Sequence, residues 1–369
     1  MKLEINRQDF MKSWRIAEQF TNDNILVTAD GGTVKLKATD LKTSVLCNSE
    51  GVNVIEDGVA VVPTSILGNM IRKSASDDLV LDVNSKRGFL KAGQSKTRFS
   101  IISENSFPRL ADSSDAEIIC EIDSNTLTTL IFEGGSAAGK AVDYPKYQGA
   151  CLLRTRDGKV KIVSTDGKRL SLSERACEKI SKDTDLLIPA PALKELAKTL
   201  VKDEAVKISA NNASIFFELN RIEYSIRLID ALFPIYERIL NDVVETSLKI
   251  KAEDLIPVLE RVDIIAGTTP AHIMAMNLNP NGELKITARS PERGTTSESI
   301  NAEISGNTML VGFNISFFLD GLKALGNGEI NIEFSGVETQ ARMRRNDDFL
   351  YMLMPARLAE QDKAIENDI

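Results

Sequence analysis

One series of local patterns runs through this chain three times, and that recurrence limits the fold more than any single motif. An amphipathic helical segment at 7–20 places Phe10, Trp14, Ala17 and either Ile16 or Phe20 on one face. The alternating run TVKLKATDLKTSVLC (33–47) follows, then a second helix entered through Pro63 in VVPTSILGNMIRKS (61–74). The series closes with the alternating runs DLVLDV and TRFSII and with SFPRL, which carries Pro108. It returns as DSNTLTTLIFEGGSAAG (123–139), KVKIVSTDGKRLSLS (159–173), IPAPALKELAKTLV (188–201), three short strands and LFPIYERIL with Pro234. The third passage is KAEDLIPVLERVDIIAG (251–267), ELKITARS (283–290), NISFFLDGLKALG (314–326), EINIEF, TQARMRR and FLYMLMPARL with Pro355.

The spacing is regular. Thr39-Asp40 and Thr165-Asp166 lie 126 residues apart, as do Pro108 and Pro234, and Pro355 follows Pro234 by 121. The helices begin near 7, 63, 123, 189, 251 and 314. Two helices and several short antiparallel strands per passage predict an α+β chain of three repeated domains, at 1–117, 118–245 and 246–358, with a polar tail at 359–369. A solenoid fits less well, because its units of about 20 to 50 residues rarely hold so many antiparallel strands.

The balance of 43% apolar and 27% charged residues is that of a soluble protein with several cores. No apolar run approaches the roughly 20 residues that span a bilayer. The opening Met1-Lys2-Leu3-Glu4-Ile5 alternates like a strand, unlike a signal peptide, so the expected compartment is the cytoplasm. Cys47, Cys120, Cys151 and Cys177 are widely separated and His272 is the single histidine, which argues against zinc and disulfides and for buried thiols. The net charge of -8 requires that any contact with nucleic acid use a local basic surface.

One stretch suggests a nucleotide site. Gly134 and Gly139-Lys140 have the spacing of a phosphate-cradling loop, but that loop needs a strand before it, a helix after it and a hydroxyl after the lysine. Here Leu127, Leu130 and Ile131 predict a helix before the glycines, and Ala141 follows the lysine. EGGSAAGK therefore reads as the small-residue end of the third helix. No nucleophile, base or metal-ligand arrangement stands out; Asp77-Asp78 and Asp347-Asp348 read as solvated turns, and His272 reads as structural. The remaining alternatives are a nucleotide-dependent enzyme using Gly134–Lys140 and a monomeric peptide-binding repeat scaffold.

VVPTSILGNMIRK, STDGKRLSLS, LIDALFPIYERIL and FLYMLMPARL, at matching places in the repeat, give the chain over residues 1–358 its resemblance to the bacterial DNA polymerase III beta-subunit family, the DNA sliding clamps. The resemblance implies three domains per subunit and two subunits joined head to tail into a ring, with helices lining the hole and sheets outside. It implies no catalysis and no cofactor or metal. Expected partners are duplex DNA held without sequence readout, a second copy of the chain, the polymerase III catalytic subunit, a clamp loader, and other proteins bearing clamp-binding peptides, such as translesion polymerases, mismatch-repair proteins and ligase. A nucleoid-associated cytoplasmic location follows.

Site residues follow from the same resemblance. A partner-peptide pocket would use Thr165, Gly167, Lys168, Arg169 and Leu170 of TDGKRL, with Pro234, Arg238 and Ile239 of FPIYERI. Met352, Leu353, Met354, Pro355, Ala356 and Arg357 of YMLMPARL would complete it, with Tyr147 at a position where the family has an apolar wall residue. Apolar and polarizable walls suit leucine or phenylalanine anchors. The helix cations Arg15, Arg72, Lys73, Lys194, Lys198 and Lys323 are candidates to face DNA, Arg72 and Lys198 with the added support of the resemblance. Phe99 and Ile101 would meet Ile264 and Ile265 of a second copy, continuing the sheet across the junction.

Four departures stand out. TNDNILVTADGG and AVDYPKYQG are short where relatives have longer loops, Lys168 takes a place often held by histidine, and Ala356 one often held by a larger apolar residue. The tail AEQDKAIENDI reads as a frayed acidic extension, or as a cover over the adjoining pocket.

Overall fold

The computed structural model describes residues 1–360 apart from 22, 85–86, 140–144 and 241–242. Lys140 and most of the acidic tail thus lie outside the described residues. The first passage of the repeat comprises β1 (Lys2–Asn6), α1 (Arg7–Ala17), β2 (Asn24–Asp30), β3 (Thr33–Thr39), β4 (Thr43–Ser49), β5 (Val52–Glu56), β6 (Gly58–Pro63), α2 (Thr64–Lys73), β7 (Asp78–Val83), β8 (Arg87–Ala92) and β9 (Ser95–Ser100). The second comprises β10 (Glu117–Asp123), α3 (Ser124–Gly134), β11 (Ala150–Arg156), β12 (Lys159–Thr165), β13 (Arg169–Ala176), β14 (Lys179–Ile180), β15 (Thr184–Pro189), α4 (Ala190–Thr199), β16 (Ala205–Ala210), β17 (Ser214–Leu219) and β18 (Ile222–Arg227). The third comprises β19 (Thr246–Lys251), α5 (Ala252–Ala266), β20 (Ile273–Asn279), β21 (Glu283–Ser290), β22 (Gly294–Asn301), β23 (Glu303–Gly306), β24 (Met309–Asn314), α6 (Ile315–Leu325), β25 (Glu329–Phe334), β26 (Ala341–Arg344) and β27 (Phe349–Leu353).

The chain divides into two compact units, Met1–Asn125 with Lys179–Lys182 and Lys198–Leu228, and Thr126–Glu178 with Asp183–Ala197 and Ile229–Ile369. The first unit holds a five-stranded sheet, β5-β1-β7-β8-β9, and a nine-stranded sheet, β14-β10-β16-β17-β18-β4-β3-β2-β6. The second holds a nine-stranded sheet, β15-β11-β12-β13-β27-β26-β25-β19-β23, and a four-stranded sheet, β22-β21-β20-β24. One rule generates all four. Each passage builds a five-strand and a four-strand ladder, and the last strand of one passage pairs antiparallel with the fourth strand of the passage before it, β18 with β4 and β27 with β13.

Helix starts are written locally. Asn6 ends β1 and its side chain accepts from the backbone N–H groups of Gln8 and Asp9, while Asn314 ends β24 and accepts from that of Phe317. The buried face of α1 carries Phe10, Trp14 and Ala17, with Phe20 just beyond; Ile16 is only half-buried. The Thr-Asp pairs also have a local cause. Thr165 Oγ1 donates to the Arg169 carbonyl at 2.6 Å, and Asp166 Oδ1 accepts from the N–H groups of Lys168 and Arg169 at 3.0 and 3.1 Å. Thr39 and Asp40 repeat this with Thr43 and Lys42, at 2.7 and 2.9 Å. Both pairs close a β-hairpin by side-chain-to-backbone bonding.

The glycine-rich segment departs from expectation in one respect. α3 stops at Gly134, short of residue 139, because the neighbouring sheet takes up its last carbonyls. Ser164 Oγ donates to the Gly134 carbonyl at 2.6 Å and Ser171 Oγ to the Glu133 carbonyl at 2.5 Å. Glycine is required there: a Cβ on Gly134 would stand 2.3 Å from the Ile162 carbonyl oxygen. His272 takes part in turn structure, its carbonyl accepting from Ile315 N at 2.8 Å and its Nδ1 lying 3.2 Å from Ser316 Oγ. Among the described residues no helix is long and apolar enough to cross a membrane.

All four cysteines are buried and outside any disulfide. Burial pushes the thiols of Cys47 and Cys151 up to about 12, Lys194 offsetting a little of the effect at Cys151. A raised thiol pKa leaves little thiolate, the reactive form, at pH 8. Peptide mapping after iodoacetamide treatment at pH 8 is expected to find Cys47 and Cys151 unmodified in the native protein and modified in denaturant. Gly134→Ala is expected to lower stability by about 1–3 kcal/mol, read as a fall in thermal midpoint, because the clash is with backbone.

Candidate partner-docking site and basic helix faces

In the second unit the register across β11, β12, β13 and β27 lays two rows of side chains side by side. Leu170 lies between Thr165 and Met352; two residues further on, and so on the same face, Leu172 lies between Val163 and Leu350, with Leu152 beyond Val163. These apolar side chains form a buried cluster with Ala150, Leu187 and Tyr236. The segment after β18 covers part of it: Phe233 packs edge-on against Tyr147 and Tyr236, ring centroids 6.1 Å apart in both pairs.

Around this floor the apolar surface continues into solvent. Leu232 is 91% exposed, Ile235 68%, Ile239 47% and Met354 46%, and Pro234 and Arg238 are exposed between them. Such a run beside a buried cluster is a surface suited to an apolar partner. Met354 N donates to the Lys168 carbonyl at 2.9 Å, so the end of β27 is tied to the turn in which Gly167 takes a φ of 86°. Beyond it, Ala356 bridges to Gly312, and a cavity of about 680 Å³ is lined by Leu310, Val337, Pro355, Ala356, Arg357 and Leu358. The predicted pocket residues Tyr147, Leu170 and Met352 therefore share one apolar cluster, with Thr165, Gly167, Lys168 and Met354 at its turn. Leu353 is buried in the neighbouring core and faces away from this floor.

Two arginines set the electrostatics. Arg169 points inward: it bonds Asp166, Asp320 at 2.6 Å and the Tyr351 hydroxyl at 3.2 Å, and lies 4.2 Å from the centre of the Phe317 ring. It fixes the turn against α6 and has little surface to offer a ligand. Burial pushes the Tyr351 hydroxyl well up, so it stays protonated and donates to the Phe317 carbonyl at 2.8 Å. Arg154, which the sequence reading missed, bridges Asp185 at 2.6 Å and Glu237 at 2.5 Å and flanks Tyr236, tying the covering segment to β11. The alternation of ACLLRTR already puts Arg154 on the face of Leu152, and that of RLSLS puts Leu172 on the face of Leu170.

The helix cations are unequal. Arg15, Lys73 and Lys198 are exposed. Arg72 is held between both oxygens of Glu18 at 2.8 Å, Lys323 is paired with Glu260 at 2.9 Å, and Lys194 is half-buried beside Cys151. Of the expected junction residues, Phe99 is buried in its own sheet against Gly88, Ile264 is 70% exposed, and Ile101 and Ile265 are intermediate.

Residues 121–235 match the family profile for the DNA polymerase III beta subunit, central domain, and residues 237–357 that for its C-terminal domain. The chain is 28% identical over 341 residues to the beta sliding clamp of Pseudomonas aeruginosa, with 91% of this chain and 92% of that protein covered. It is 24% identical over 340 residues to that of Staphylococcus epidermidis, covering 91% and 89%. The crystal structure of the DNA polymerase sliding clamp from Pseudomonas aeruginosa superimposes with a TM-score of 0.90 at 25% identity, over 97% of this chain and all of that one. The sliding clamp from Bacillus subtilis, 19% identical, shares the fold with a TM-score of 0.92 over 97% of this chain and all of that one.

Leu172→Ala is expected to cost about 2–5 kcal/mol, since it opens a cavity under the floor. Met354→Ala, at an exposed position, is expected to cost less than about 1 kcal/mol. Chemical denaturation of the two variants checks the contrast.

Proposed function

Because the chain belongs to the DNA polymerase III beta-subunit family, we propose that it is a DNA sliding clamp, a ring of two head-to-tail copies that encircles duplex DNA and tethers the replicative polymerase. The observation that carries the reading is the pairing rule of the sheets. β18 continues onto β4 and β27 onto β13, and the two ladder ends left over are β9 of the first passage and β22 of the third. Pairing β9 of one copy with β22 of another satisfies both edges, and doing so twice closes a ring. Exposed Ile264 and half-buried Ile265 on α5, with Ile101 after β9, supply apolar contact at that junction.

In this reading the six helices line the hole. Encirclement holds the duplex without a tight contact, so a few weak cations suffice and sliding is not arrested by base readout. Arg15 and Lys73 serve best, with exposed Lys198 on α4 beside them; Arg72 and Lys323 are muted by Glu18 and Glu260. This reconciles the net charge of -8 with work on DNA. The clamp performs no catalysis, and a separate loader opens it.

The apolar floor at Leu170, Leu172 and Met352, rimmed by Met354, Pro234 and Ile239, receives the peptides of the polymerase catalytic subunit, the loader, translesion polymerases, mismatch-repair proteins and ligase. Apolar anchors bury there while Lys168 and Arg238 meet the flanking polar groups. The protein acts in the cytoplasm at the nucleoid.

Light scattering is expected to give a mass near twice 40.5 kDa, and Ile264→Asp to shift it toward one copy. Loaded protein is expected to stay on nicked circular DNA and to be lost on linearisation; retention indifferent to DNA ends refutes encirclement. Leu170→Ala is expected to weaken binding of a leucine- and phenylalanine-bearing peptide by about tenfold or more.

A further inference from the structure

The repeat places a second groove in the first unit at the position matching the docking floor, and its chemistry is inverted. Across β2, β3, β4 and β18 the row Leu26, Lys37, Leu46 and Glu223 takes the places of Leu152, Val163, Leu172 and Leu350. In the next row Ser44 and Ser225 replace Leu170 and Met352, and their buried hydroxyls bond each other. Phe107 and Pro108 stand where Phe233 and Pro234 do, 126 residues earlier.

The groove is open. One cavity of about 710 Å³ lies over Lys37 and Leu46 and carries Glu104, Asp112 and Glu223 beside Arg109, and an adjoining one of about 450 Å³ is lined by Leu41, Lys42, Thr43, Arg109, Ser214 and Arg227, among others. The second contains three cations and no carboxylate in its lining. The one carboxylate in its turn, Asp40, is occupied by the backbone of Lys42 and Thr43 and by the Thr43 hydroxyl. At its mouth Leu41, in the place of Gly167, is 71% exposed and held at a φ of 74°, a conformation that a leucine rarely takes.

We propose that the cation-lined second cavity of this groove is a second docking site, which takes an extended acidic peptide segment of a partner protein. Its carboxylates meet Lys42, Arg109 and Arg227, its backbone meets the Thr43 and Ser214 hydroxyls, and an aliphatic residue rests on Leu41. A serine floor cannot reward the leucine and phenylalanine anchors that suit the other junction, so the two grooves sort partners by charge. The proposal stands on the groove's own lining and does not need the ring.

The test is fluorescence anisotropy of labelled Glu-Asp-Leu-Glu-Asp-Ser-Glu-Asp on the full chain. Binding is expected to weaken with salt and to fall about tenfold or more in the doubly reversed Lys42→Glu, Arg227→Glu variant. Both side chains are exposed, so that variant is expected to keep its thermal midpoint, its retention on circular DNA and its affinity for the hydrophobic peptide. No binding, binding unchanged in the variant, or equal binding of the Gln/Asn analogue overturns the proposal. Displacement by a peptide of residues 359–369 assigns the groove to the chain's own tail, and displacement by duplex DNA at lower concentration assigns it to phosphate; either result overturns the partner assignment. A clamp that fails to encircle DNA yet binds this peptide through Lys42 and Arg227 leaves the second site standing.

Discussion

A β-strand with a bare edge carries unpaired N–H and C=O groups along its length, and the design of this chain follows from how those edges are met. Each passage of the repeat makes one ladder of five strands and one of four, and neither closes on itself. The edge of one passage's four-strand ladder is instead met by the last strand of the next, five residue pairs at each junction. The junctions are therefore continuous sheet, and the side chains that decorate them are held to a common register. That is why two grooves with unrelated lining can be compared residue by residue.

Register also explains what was legible in the sequence. The helix starts fell within a residue or so of expectation because each is fixed by its immediate neighbours, as Asn6 and Asn314 show through their capping bonds. The Thr-Asp pairs marked hairpin turns for a similarly local reason. The end of α3 was not legible, since it depends on Ser164 and Ser171, which are remote in sequence and reach the helix only after the sheet forms.

The site divides along the same line. Tyr147, Leu170 and Met352 could be gathered by resemblance, and alternation alone would have added Leu172 and Arg154. No sequence pattern announces that Arg169 turns inward to Asp320 and Tyr351, or that Glu18 and Glu260 mute two of the helix cations. Those facts arise from contacts between elements. Equally, the serine pair at Ser44 and Ser225 reads as ordinary strand composition until pairing sets it opposite its apolar counterpart.

The antiparallel junctions have a mechanical side as well. Tension applied along β18 and β4, or along β27 and β13, loads every hydrogen bond of the pair together, and the bonds fail only in concert. Tension applied across the strands opens the same pair one bond after another, as a zipper does. Resistance to load therefore depends on direction: a load carried along the strands is borne by the whole seam, whereas a load across them falls on one bond after another.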